Sequence, residues 1–170
     1  PFAGYPKPST NGLPVYTSLV GTTLNPGVYD VSIAASGGTT LTLSSGIYIL
    51  RAGMGASGNA DIVAGPGGVF LFNTNANYPA SGGGCGSVSL VGNAVSTLLP
   101  MTTGTYANLL FYQDPECTNA FTIAGNGTLT ASGTIYVPNG AVVFNGNDAT
   151  LTGSQLVAKT VEVQNGNVNI

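Results

Sequence analysis

Side chains able to do acid–base or metal chemistry are scarce in this 170-residue chain. The acids are Asp30, Asp61, Asp114, Glu116, Asp148 and Glu162; lysine and arginine together number 3, and there is no histidine. Hydrolysis or elimination on a polysaccharide needs two carboxylates at a set separation, or a calcium cluster beside a base. Only Asp114 and Glu116, in Asp-Pro-Glu-Cys, are close in sequence, and two acids on a loop more often meet solvent or close a turn. Without histidine there is no imidazole base for a triad and no cysteine–histidine metal set. The glycines follow repeated corners and not a phosphate-binding loop. The residues therefore predict a non-enzyme with no cofactor and no metal. Asp30 and Arg51 are expected on neighbouring repeats as a surface ion pair of little energetic weight.

Threonine offers a different chemistry. Thr40-Leu41-Thr42, Thr128-Leu129-Thr130 and Thr150-Leu151-Thr152 each set two hydroxyls on one side of a strand. Ranked on a flat face they would suit ice or a glycan. The intervening repeats, however, offer Ser87-Val88-Ser89 and the irregular Ala60-Asp61-Ile62-Val63, and threonine is also simply a good strand former. Asn126-Gly127-Thr128 is a glycosylation sequon that reads equally as a corner asparagine.

Composition narrows the partners. Charged residues make up 5% of the chain, against about 25% in ordinary globular proteins. A net charge of −3 with scattered cations argues against nucleic acid. A 43% hydrophobic content argues against disorder. No apolar run is long enough to predict a membrane span. So uncharged a surface fits a chain built to associate with itself. The first residue, Pro1, suggests processing or a longer parent chain.

The elements that would position these residues are copies of one unit, clearest at 125–147: short strands separated by Gly-Asn-Gly, Pro-Asn-Gly and Asn-Gly-Asn corners. The small residues before the recurring strand are Gly27, Gly46, Gly68, Asn108, Gly133 and Ser154, in steps of 19, 22, 40, 25 and 21. Corners recur at Gly58-Asn59, Gly92-Asn93, Gly125-Asn126-Gly127, Asn145-Gly146-Asn147 and Asn165-Gly166-Asn167. A unit of about 20 residues with no helix cannot bury its own apolar face, so copies must stack. The prediction is an all-β, single-domain parallel β-helix (solenoid) of about six coils, with asparagines laddering at the corners. A β-sandwich is the competing fold. The solenoid would occupy residues 23–170. Residues 1–22, with Pro1, Pro6, Pro8 and Pro14, form an extended N-terminal arm that covers the first coil or reaches a neighbouring subunit.

Strand alternation sorts the faces. Two and four residues past each small residue lie Tyr29, Tyr48, Phe70, Leu110, Ile135 and Leu156, then Val31, Leu50, Phe72, Tyr112, Val137 and Ala158, which are expected inside. The outward set then includes Ile47, Ile49, Val69, Leu71, Leu109 and Phe111, continued by Tyr136. So large an apolar flank needs a cover, and a second subunit or its arm is expected there, making these seven residues the assembly interface. Two insertions, 73–86 and 113–120, leave their coils after the same strand and each carries one cysteine. A Cys85–Cys117 disulfide is predicted, which implies an oxidising compartment.

The strings LNPGVYDV, SSGIYIL, GGVFLFN, GTYANLLFYQD, GTIYVPNGAVVFNGN and GSQLVAKTVEVQNGN resemble, in order, the β-helical C-terminal region of TadG-like tight-adherence (Flp) pilus-assembly proteins. The resemblance spans about residues 24–170 and brings no catalytic residues. It implies a secreted or cell-surface bacterial module linked to pili or adhesion, here without that family's N-terminal membrane helix and preceding domain. The expected function is that of an extracellular, self-assembling structural subunit of a surface filament or pilus-associated structure. A glycan- or ice-binding surface is the alternative, and a polysaccharide-active enzyme stands behind both.

Overall fold

The computed structural model describes residues 4–93, 95–125, 128–146, 149–164 and 168–169. Sixteen strands and no α-helix appear among them. β1 (Val15–Tyr16) ends the arm. The chain then winds in turns of three strands. β2 (Thr23–Leu24), β3 (Gly27–Tyr29) and β4 (Ile33–Ala35) make the first turn, and β5 (Thr40–Leu43), β6 (Gly46–Leu50) and β7 (Met54–Ala56) the second. β8 (Asp61–Ala64), β9 (Val69–Asn73) and β10 (Val88–Val91) follow, then β11 (Val95–Leu98), β12 (Leu109–Gln113) and β13 (Phe121–Gly125). β14 (Thr128–Gly146) and β15 (Ala149–Gln164) each bend through a whole turn, and β16 (Val168–Asn169) opens the next.

Every pairing between these strands is parallel, and each strand pairs with its counterpart one turn away. Three ladders result. The first runs β2-β5-β8-β11-β14-β15-β16. The second runs β1-β3-β6-β9-β12-β14-β15. The third runs β4-β7-β10-β13-β14-β15. This is the parallel β-solenoid expected from the 20-residue period, and the antiparallel sandwich is excluded.

The interior is built from columns of like residues. On the third ladder Ile33, Met54, Val88, Phe121, Val142 and Val161 stack in register, and beside them Ala35, Ala56, Leu90, Ile123, Phe144 and Val163. On the second, Tyr16 stacks on Tyr29 at 4.7 Å between ring centroids and Tyr29 on Tyr48 at 5.8 Å. The Tyr48 hydroxyl lies 2.8 Å from the backbone carbonyls of Leu24 and Ser44, so even the polar tip is satisfied inside.

One corner is a glycine column. Gly92 (φ 116°) and Gly125 (φ 101°) take conformations that favour glycine, and a Cβ on either would run into the glycine backbone one turn below, at Gly58 and Gly92 respectively. The corner ladder is made by backbone: Asn59 N–H donates to Gly37 O at 2.8 Å, and Asn93 N–H to Gly58 O at 2.7 Å. Asn126, Asn147, Asn165 and Asn167 lie outside the described residues, as do Asp148 and most of the sequon.

Alternation places the flank differently from expectation in two turns. Val69 pairs with Gly46, so Leu71 follows Tyr48 inward while Phe70 and Phe72 follow Ile47 and Ile49 outward. Phe111 pairs with Leu71 and Tyr112 with Phe72, so Phe111 is inside and Tyr112 outside. A shift of one residue inverts every side chain. The Gly67-Gly68 pair, both at positive φ, supplies one extra step, and an irregularity between Leu109 and Phe111 absorbs another.

Candidate functional site

The expected interface is not an open surface. Val69, Leu71 and Phe111 belong to the interior. Ile49, Leu109 and Tyr136 do face outward, yet they are buried, and Ile47 is half-buried. A second apolar layer seals them. Tyr106 stacks flat on Phe70 (4.1 Å, 6°) and Tyr78 meets Phe72 edge-on at 5.1 Å. Tyr5, Leu13 and Met101 pack around the same cluster. The cover is therefore the chain's own arm and loops, and the expectation that a second copy shields these residues is corrected: a cis cover costs no association entropy.

The arm is pinned along its length. The Tyr106 hydroxyl donates to Pro6 O at 3.0 Å, the Tyr78 hydroxyl to Pro8 O at 2.6 Å, and Lys7 Nζ to Asp114 Oδ1 at 2.8 Å. Val15 and Tyr16 then pair with Val28 and Tyr29, so the arm crosses the outer side of the second ladder and ends on its first rung.

Two loops form the platform beneath it. The predicted disulfide joins Cys85 and Cys117, with Cα atoms 5.7 Å apart. Both loops leave the second ladder at an inward polar residue, Asn73 and Gln113, which pair in register. Asn73 Nδ2 donates to Gly86 O and Gln113 Nε2 to Asn119 O, tying loop to coil. A third loop, 99–108, carries Met101 and Tyr106; sequence reasoning missed it because strand β11 before it was not recognised.

The acids serve this framework. Asp114 is fully buried; it accepts from Lys7, from Thr74 Oγ1 at 2.9 Å and from the Glu116 N–H at 3.0 Å. Glu116 accepts from Asn75 Nδ2 and Ser81 Oγ. Asp30 and Arg51 form the expected ion pair at 2.8 Å. No group of three metal-ligating side chains occurs among the described residues. Burial also acts on the tyrosines: it pushes Tyr29 and Tyr78 up to about 12, with Tyr16 adding to the first and the Asp114 carboxylate to the second, and it raises Tyr48 still further.

Where, then, is the molecule open? On the second and third ladders β15 pairs with β14 on one edge, and among the described residues nothing pairs with the other. Val161 and Val163, the last members of the interior columns, stay 49% and 54% exposed, while Val142 and Phe144 one turn below are buried. At the opposite end Val15 is 55% and Val20 81% exposed. Four of the five exposed large hydrophobics among the described residues thus sit on the two end rungs.

Searches against family models, curated proteins and solved structures found no significant match.

The threonine rank is more regular than the sequence suggested. Residues 87–89 lie at the start of the third ladder, and the first ladder uses β11 instead. Its outward column reads Thr23, Thr42, Val63, Thr97 and Thr130 in register, and the backbone of Thr150 pairs with Thr130.

Proposed function

We propose that this protein is an extracellular structural subunit that assembles with copies of itself into a surface filament or a pilus-associated, adhesive structure of bacteria. The observation that carries this reading is the outer edge of β15: among the described residues no strand pairs with it on the second and third ladders, and Val161 and Val163 there are half-exposed. Unpaired parallel edges are templates for further strands. Their surroundings carry little charge to resist addition: 5% of the chain is charged. The disulfide is compatible with an oxidising, extracellular setting, and no described helix is long and apolar enough to cross a membrane. The resemblance to the β-helical region of TadG-like proteins points to the same setting. The reading needs no catalytic residue and no cofactor. Concentration-dependent sizing and negative-stain microscopy of the oxidised chain test it: oligomers or filaments are expected, and a monomer at every concentration opposes it.

A second reading rests on the first ladder. Four threonines and one valine in a single column among the described side chains, spaced by about 4.8 Å, make a repetitive hydroxyl–methyl face suited to ice or a glycan. Thr42→Lys with Thr97→Lys should abolish ice-recrystallisation inhibition or glycan-array binding if this face is used; no activity in the unaltered chain opposes it.

A further inference from the structure

We propose that the aromatic track along the outer side of the second ladder is a recognition site for an extended proline-rich segment with a cation between two prolines. The chain's own Tyr5-Pro6-Lys7-Pro8 fills it in cis, and a segment of the same chemistry on a partner protein takes its place when this strap lifts. Neither end of the solenoid is involved, and self-association is not required. The strap is stiff before it binds. Tyr5 and Lys7 each precede a proline, which keeps their backbone extended, and the rings of Pro6 and Pro8 fix φ at about −65°. Residues 5–14 belong to no strand, and the arm's strand pairing begins only at Val15. An extended proline run offers carbonyls that are not used internally, and the track reads them. The Tyr106 hydroxyl donates to Pro6 O at 3.0 Å and the Tyr78 hydroxyl to Pro8 O at 2.6 Å. Between these two carbonyls Lys7 Nζ reaches Asp114 Oδ1 at 2.8 Å. The loops 73–86, 99–108 and 113–120 thus supply one polar group each to three consecutive residues.

The reading groups are held in place from behind. Tyr106 stacks on Phe70 and Tyr78 meets Phe72, both of which are fully buried. Asp114 is fixed by Thr74 Oγ1 and the Glu116 N–H. Burial raises both tyrosines above the ordinary phenol range, with the Asp114 carboxylate adding at Tyr78, so both hydroxyls remain donors. A cover needs only apolar side chains, yet the strap turns few of its own inward. Among residues 4–14 Pro8 is buried, Tyr5, Thr10 and Leu13 are half-buried, and the rest are exposed. A buried proline, hydroxyl-to-carbonyl bonds and an ion pair suit the reading of a proline-rich ligand in an aromatic-lined site. Charge selects the partner. The Asp114 side chain is 0% exposed and that of Lys7 38%. A segment without a cation at the middle position would leave a buried carboxylate lacking its ion-pair partner, a costly state. Pro-Lys-Pro and Pro-Arg-Pro fit; a neutral or acidic middle residue does not.

The test uses the full oxidised chain and a fluorescent peptide of residues 4–10. Lys7→Glu with Pro8→Gly in the chain lifts the strap. This variant should bind the peptide saturably by fluorescence anisotropy, and the unaltered chain at least about tenfold more weakly, because its tethered strap competes. The same peptide carrying Lys7→Glu should lose at least about tenfold in affinity through the unpaired carboxylate. No saturable binding to a variant with native near-ultraviolet circular dichroism would overturn the proposal, as would equal binding of the Lys7→Glu peptide. Dimers of the unaltered chain that excess peptide dissolves would assign the track to a neighbour's arm and overturn it too. If the variant fails to fold, a protease site inserted at the exposed Asn11-Gly12 gives a second reading. After cutting, excess peptide should displace the severed arm, detected by mass spectrometry of the filtrate; an arm retained under saturating peptide contradicts the proposal.

Discussion

Gly92 shows what a single residue does in a stack. Its backbone rests on Gly58 and supports Gly125, so a methyl group there meets peptide atoms that cannot turn aside. Gly92→Ala should cost roughly 2–4 kcal/mol from strain and overpacking, read as a fall in the urea midpoint with the slope unchanged. The interior tyrosines give a second residue-scale prediction. Tyr29 and Tyr78 have values near 12 in the folded chain against about 10 when unfolded. Between these values the folded state keeps protons that the unfolded state has lost, so stability falls with rising pH. It should be unaffected by these groups below about pH 10 and decline through pH 12. In an ultraviolet titration of phenolate, an exposed set should ionise before a buried set, and the second step should coincide with unfolding. A single step near the ordinary value would contradict the packing described for Tyr29 and Tyr78.

At the scale of elements, the arm and the two cystine-linked loops act as one unit. Removing residues 1–14 should bare Ile49, Phe72, Tyr112 and Tyr136, raise the binding of an apolar dye several-fold, and lower stability by at least about 3 kcal/mol from lost burial. Cys85→Ser with Cys117→Ser opens a loop of sequence separation 32 and should cost about 3–4 kcal/mol in the chain-entropy model. It should also loosen the arm, because Lys7 and Pro8 are held by Asp114 and Tyr78 on those loops. Much of this layer was legible in sequence: the period gave the coils, the shared exit point gave the disulfide, and the prolines gave the arm. The facing of β9 and β12 was not. At Gly67-Gly68 two neighbouring small residues fit the alignment equally well, and runs such as Val69 to Phe72 are apolar at every position, so alternation carries no signal. The cover was hidden for a related reason. Tyr78, Met101 and Tyr106 are isolated large residues in glycine-rich loops, and nothing local says which surface they will reach. The threonine column was half visible, broken by assigning 87–89 to the wrong ladder when Val95-Ser96-Thr97-Leu98 carried the alternation.

For the whole molecule, the balance of covered and uncovered apolar surface bears most on the proposed function. The flank is finished internally, Leu19 packs against the interior, and among the described residues the exposed large hydrophobics concentrate on the end rungs. The self-association proposed above would therefore use the axis of the solenoid and not its side. The most direct measurement is sedimentation equilibrium of the oxidised 170-residue chain across a hundredfold range of concentration. The account predicts a weight-average mass that climbs from 16.9 kDa as the concentration rises. A mass fixed at that of one chain throughout would contradict it.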